Sequence, residues 1–166
     1  MKQSEKSACD SLQTKSASSM TGSSSNSTTT WANDLLKLLF QAVPVANIAD
    51  NATTAPLTLL YISLHTADPG VAGAQNTSEA AYTGYARVAV ARSATGWTVT
   101  GNSVSPAATI VFPAATAGSE TETFWGIGTA STGAGTLLYS GSITPSITVS
   151  NGVTPELTTS STATES

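Results

Sequence analysis

At 166 residues the chain has room for one domain and a terminal segment, and its 40% hydrophobic content is enough to build a core. Only 10% of residues are charged, against about a quarter in an average soluble domain. The formal net charge of -4 leaves no basic footprint for a phosphate backbone or an anionic lipid surface, so nucleic acid and membrane are excluded as partners. The single cysteine, Cys9, excludes a disulfide framework and a cysteine-based metal site.

Residues 1–30 are about half Ser and Thr and end in Ser23-Ser24-Ser25-Asn26-Ser27-Thr28-Thr29-Thr30. Such a composition cannot bury enough apolar surface to offset its ordering entropy, so it reads as an extended arm that gains order only against neighbouring subunits. Its first residues, Met1 to Ser7, have no apolar run behind them and do not read as a secretory signal. From Trp31 the period changes. Trp31, Leu35, Leu38, Leu39 and Ala42 share one helical face, Thr30 is a plausible N-cap, Asp34 sits in the first turn, and Pro44 stops the run. The spacing predicts a single short helix over 31–42 that closes one end of the fold.

The remainder reads as strands. Leu57 to Thr66 is apolar and rich in strand formers, and it stops at Asp68-Pro69-Gly70, where Pro presets a turn and Gly supplies positive φ. Val71 to Ala80 has no period and reads as a surface loop. Tyr85 to Ala91 alternates Ala86, Val88 and Val90 against Tyr85, Arg87, Ala89 and Ala91, with Arg87 on the wet face or reaching across it. Further runs follow at 97–101, 103–112, 121–130, 135–143 and 147–159, the last two separated by Thr144-Pro145. Seven or eight short strands punctuated by Gly, Pro and Asn, with no helix between them, predict an all-β fold. The expected architecture is an antiparallel β-sandwich or jelly roll over 31–166, carrying the short N-terminal helix and the extended arm of 1–30.

Catalytic parts are scarce. His65 is the only histidine, and His65 with Asp68 is the only local metal-like pair; a lone His at a strand end is expected to be a hydrogen-bonding structural residue that locks the turn. Serines abound, but no Gly-x-Ser-x-Gly elbow singles one out as a nucleophile. Glu120 and Glu122 share a face if extended, a pattern that suits weak Ca²⁺ binding or nothing, and nothing is expected. Gly126-Ile127-Gly128 lacks the basic residue or helix of a phosphate loop. Trp31, Trp97 and Trp125 could make a sugar-stacking platform, but buried anchors are the plainer reading. The residues thus point to no enzyme, no catalytic, cofactor-binding or metal site, and no cofactor.

The runs Pro56-Leu57-Thr58-Leu59-Leu60-Tyr61-Ile62-Ser63-Leu64-His65-Thr66-Ala67-Asp68-Pro69-Gly70, Tyr82-Thr83-Gly84-Tyr85-Ala86-Arg87, Phe112-Pro113-Ala114-Ala115 and Phe124-Trp125-Gly126-Ile127-Gly128 occur together in this order. Over about residues 31–165 they resemble a family of small virion proteins of tailed bacteriophages and prophages, often labelled tail-fibre or minor structural proteins. The resemblance implies a non-enzymatic structural subunit of the virion, assembled in the bacterial host cytoplasm. The first placement it suggests is a capsid cement or decoration protein, a homo-oligomer on the particle that grips the major capsid protein and neighbouring copies of itself. The alternatives are a tail or tail-fibre component bound to tail proteins and, from another class, a carbohydrate-binding β-sandwich.

Overall fold

The computed structural model describes residues 29–45 and 57–165; the expected arm up to residue 28, Cys9 within it, and the loop residues 46–56 lie outside the described residues. One helix, α1 (Thr29–Gln41), precedes nine strands among the described residues. It begins two residues before the expected start, which puts Thr30 inside the helix instead of at its cap. The buried stripe is Ala32, Leu36 and Phe40, spaced i, i+4, i+8, one position round from the expected Leu35 and Leu38 face. Five apolar residues between 35 and 40 offer two stripes, and packing selects the one carrying Phe40. Phe40 meets Trp97 edge-on at 4.7 Å between centroids and Tyr139 at 5.8 Å.

The helix ends at Ala42, held in the left-handed region at φ 57°, after which the Val43 N–H reaches back to the Lys37 carbonyl at 3.2 Å and satisfies one end carbonyl. Arg92 donates to the last-turn carbonyls of Leu38 and Leu39 and to the Leu57 carbonyl, which ties the helix end to the sheet edge.

The main sheet has the order β2-β1-β6-β7, from β1 (Leu59–His65), β2 (Val88–Ala91), β6 (Glu120–Gly128) and β7 (Leu137–Val149), with every neighbour antiparallel. A three-stranded sheet, β3 (Trp97–Thr100), β4 (Ser103–Pro106) and β9 (Ala163–Thr164), and a two-stranded pair, β5 (Ile110–Val111) with β8 (Glu156–Leu157), complete it. Register places Leu60 opposite Val90, Ile62 opposite Ile127 and Leu64 opposite Trp125, so these side chains share the inner face. Trp97, Val104 and Ala163 answer from the second sheet, and the space left between the layers is only ≈ 10 Å³, no more than one water could fill. Burying each large apolar side chain in this layer contributes about 1.5–3 kcal/mol. The all-β, antiparallel sandwich with one short helix is as the residue pattern predicts.

Three boundaries differ, each for a local reason. The run 103–112 is not one strand: β4 pairs with β3 and β9, the Ala107 N–H to Gly96 carbonyl bond extends its ladder to β3, and β5 then leaves to pair with β8. The run 147–159 also divides, because Gly152 at φ 87° closes a turn whose N–H reaches the Ala115 carbonyl. Conversely β7 runs through Thr144-Pro145. The ladder to β6 passes from Phe124↔Ser142 to Glu122↔Ile147, so Pro145 stands where no pairing N–H is required, on the outermost strand.

Candidate functional site

The strand and turn around His65 form a sealed polar layer on the outer face of the main sheet. Ser63, His65 and Gln75 are each 0% exposed, because the loop after His65 folds back over β1 and β6. Thr77 O can only accept, so His65 Nδ1 carries the proton at 2.8 Å, and the neutral ring leaves Nε2 to accept from the Ser63 hydroxyl at 2.9 Å. Burial lowers the His65 pKa, and the Thr77 bond opposes this without reversing it. A Ser–His contact of this length is the start of a nucleophile and base pair. Here both residues are sealed beneath the loop, where no solvent-borne group reaches them. Asp68 does not join His65; its carboxylate accepts from the Gly70 N–H at 2.8 Å and shapes the turn.

The two glycines of Gly126-Ile127-Gly128 serve this packing. A Cβ on Gly126 would lie 2.8 Å from His65 Nε2, and one on Gly128 would lie 2.3 Å from the Gln75 side chain. Gln75 uses the room to bridge the Tyr61 carbonyl and the Ala130 N–H at 3.1 Å each. The loop expected to lie on the surface is therefore partly core.

Glu79 is the residue that sequence reasoning missed. Its carboxylate takes a forked pair from Arg87, Nε to Oε1 at 2.6 Å and Nη2 to Oε2 at 2.7 Å, and accepts from the Tyr85 hydroxyl at 3.0 Å. The Leu64 N–H donates to the same hydroxyl at 3.1 Å. Arg87 also donates to the carbonyls of Ala130 and Gly133, and its side chain is 2% exposed, so it lies on no wet face. The Leu64-His65 stretch and the Gly84-Tyr85-Ala86-Arg87 stretch are thus joined through one carboxylate. In so uncharged a chain, an arginine within an alternating strand was the available signal for a buried partner.

Glu120 and Glu122 have opposite environments. Glu120 Oε1 accepts from the N–H groups of Ala81 and Tyr82 at 2.8 and 2.7 Å. Glu122 is 0% exposed, and no donor reaches its carboxyl oxygens; only in its protonated form does it gain a partner, the neighbouring Glu120 carboxylate. Burial first, then the Glu120 charge and the hydrogen bond that the protonated acid makes to Glu120, push its pKa up to about 8, so Glu122 holds its proton at pH 7. No group of three or more His, Cys, Asp and Glu side chains suited to a metal occurs among the described residues.

Trp97 and Trp125 are 1% and 8% exposed, core anchors and not a stacking platform; the Trp31 side chain lies outside the described residues. Beside Trp125 the sandwich opens into a groove of ≈ 530 Å³ between Ser142–Ile147 of β7 and residues 156–162. Its floor is Trp125, Ile143, Ile147 and Leu157, its walls are Ser and Thr hydroxyls, and Glu156 is the one charged residue lining it. Such a surface can hold an extended, uncharged chain by backbone and hydroxyl hydrogen bonds. It offers no nucleophile with a base beside it.

Set against known proteins, the chain matches no curated protein. A family model described as Podophage GP4 fiber I protein gp80 matches residues 25–165, most of the chain, and the protein belongs to that family of phage virion structural proteins.

Proposed function

We propose that the protein is a non-enzymatic fibre component of a podophage virion, a rigid β-sandwich that attaches to other virion proteins through its uncharged surfaces. The observation that carries this reading is the family match over residues 25–165, whose description names a fibre protein. The architecture supports it: the histidine and its serine partner are sealed, the Glu79–Arg87 fork braces the loops at one end, and the outer strand and groove are lined by Ser and Thr. The family description favours the fibre over the capsid-cement placement that the sequence put first. The carbohydrate-binding alternative loses support, because Trp97 is sealed in the core and Trp125, at the floor of the groove, is only 8% exposed.

Particles assembled without the protein test the placement. A fibre component predicts intact, filled heads with absent or shortened fibres, and a copy number in the tens by quantitative gel. Heads that lose their DNA on mild heating, with hundreds of copies on the complete particle, would establish the cement placement instead.

A further inference from the structure

We infer that Glu120 and Glu122 form a latch that loosens as pH rises: one proton held between the two carboxyl groups keeps residues 81–82 closed against the start of β6, and its loss frees them. The backbone donors of this segment can be followed one by one. The Ala80 N–H reaches the Leu64 carbonyl at 2.9 Å, and the Thr83 N–H reaches the Ala117 carbonyl at 3.0 Å. Between them the N–H groups of Ala81 and Tyr82 both end on Glu120 Oε1, at 2.8 and 2.7 Å. The flanking bonds join backbone to backbone and cannot titrate. Only the middle of the segment hangs on a side chain, and that middle holds the Tyr82 ring in the core, 4% exposed, with its hydroxyl donating to the Pro113 carbonyl at 3.0 Å.

Glu122 makes this tether sensitive to protons. Glu120 stands opposite Val149 of β7 and Glu122 opposite Ile147, so the two carboxyl groups share one face of β6 and meet apolar residues across it. Glu122 is 0% exposed and no donor reaches its oxygens, whereas Glu120 is partly exposed. While Glu122 keeps its proton, its O–H donates to Glu120, which stays charged and accepts from Ala81 and Tyr82 as well. Among the described residues Glu120 is the charge that bears on Glu122, so a second negative charge there is not neutralised. The other titratable group in their field is the Tyr82 phenol. Burial first, then Glu122 and Glu120, push it up to about 12, so it stays neutral while Glu122 ionises. Two carboxylates side by side repel, and the partly exposed Glu120 is the one able to swing into water. Ala81 and Tyr82 then lose their acceptor, and water reaches Glu122.

Amide exchange in the full chain, followed residue by residue by NMR from pH 5 to 8, tests the latch. With the intrinsic base catalysis of exchange divided out, protection of Ala81 and Tyr82 is expected to fall by about tenfold per pH unit, because the opened segment lets Glu122 release its proton. It is expected to lie at least about tenfold below that of Ile62 and Ile127 in the central strands, as local opening requires. Glu122→Gln, which keeps the shape of the neutral acid, is expected to flatten the Ala81 and Tyr82 profile. In the wild type alone, one isotope-labelled glutamate carboxyl carbon is expected to titrate at about pH 8. A flat wild-type profile, the same slope in the variant, protection equal to that of Ile62 and Ile127, or glutamate carboxyls that all titrate in the ordinary range would each overturn the inference.

Discussion

Replacing Glu122 with Gln removes a titration that folding suppresses. Glu122 is fully enclosed beside the Glu120 carboxylate, no donor reaches its oxygens, and its pKa rises from the ordinary 4.5 to about 8. Below pH 4.5 the acid is protonated in both the folded and the unfolded chain, and it adds no pH dependence. Between pH 4.5 and 8 the unfolded chain loses the proton while the folded chain keeps it, so stability falls as pH rises. Each unit contributes about 1.4 kcal/mol, which amounts to about 3 kcal/mol at pH 7 and about 5 kcal/mol once the folded form ionises. Above that point the loss is complete. Urea unfolding of the wild type and of Glu122→Gln at pH 5, 6, 7 and 8 measures this directly. His65 titrates alike in both proteins, so their difference isolates residue 122. The difference is expected to move by about 1.4 kcal/mol per unit in favour of the Gln variant as pH rises. Parallel profiles across this range would show that Glu122 is already ionised in the folded chain, against its burial beside Glu120.

Breaking the buried fork with Arg87→Ala leaves Glu79 without its cation and is expected to cost about 3–5 kcal/mol, seen as a lower urea midpoint; adding Glu79→Gln should recover part of the loss. Ala42 sits in the left-handed region at φ 57°, so Ala42→Gly is expected to stabilise by about 1 kcal/mol and raise the melting temperature by a few degrees in calorimetry. Gly128→Ala would place a methyl 2.3 Å from the Gln75 side chain, and the expected cost is about 1–3 kcal/mol. Hydrogen exchange should then quicken in the loop that covers β1, and unchanged protection there would contradict the packing described.

Much of the frame is legible along the chain, because its periods are short and its breaks are chemical. Leu57 to Thr66 reads as a strand from its apolar run, and the alternation of Val88 and Val90 correctly assigns the inner face. His65 reads as a hydrogen-bonding structural residue, but its bonds go to Thr77 and Ser63 and not to the Asp68-Pro69-Gly70 turn, which the Asp68 carboxylate shapes. What eluded the pattern depends on distant partners. The helix stripe was chosen by Trp97, which lies 57 residues beyond Phe40 in sequence, and not by helical spacing alone. Glu79 sits in a stretch without period, and only the fold brings Arg87 and Tyr85 to it. Pro145 interrupts a strand in sequence but not in space, since the ladder has already parted there. The contrast between Glu120 and Glu122, two residues apart, rests on which of them meets the N–H groups of Ala81 and Tyr82.

The central claim is that this sandwich is a fibre component of the virion. Gold-labelled antibody against the folded protein, bound to purified particles and imaged by electron microscopy, tests it most directly. Gold is expected on the fibres, at a few positions per particle, with bare heads. Gold distributed evenly over the head, with unlabelled fibres, would contradict it.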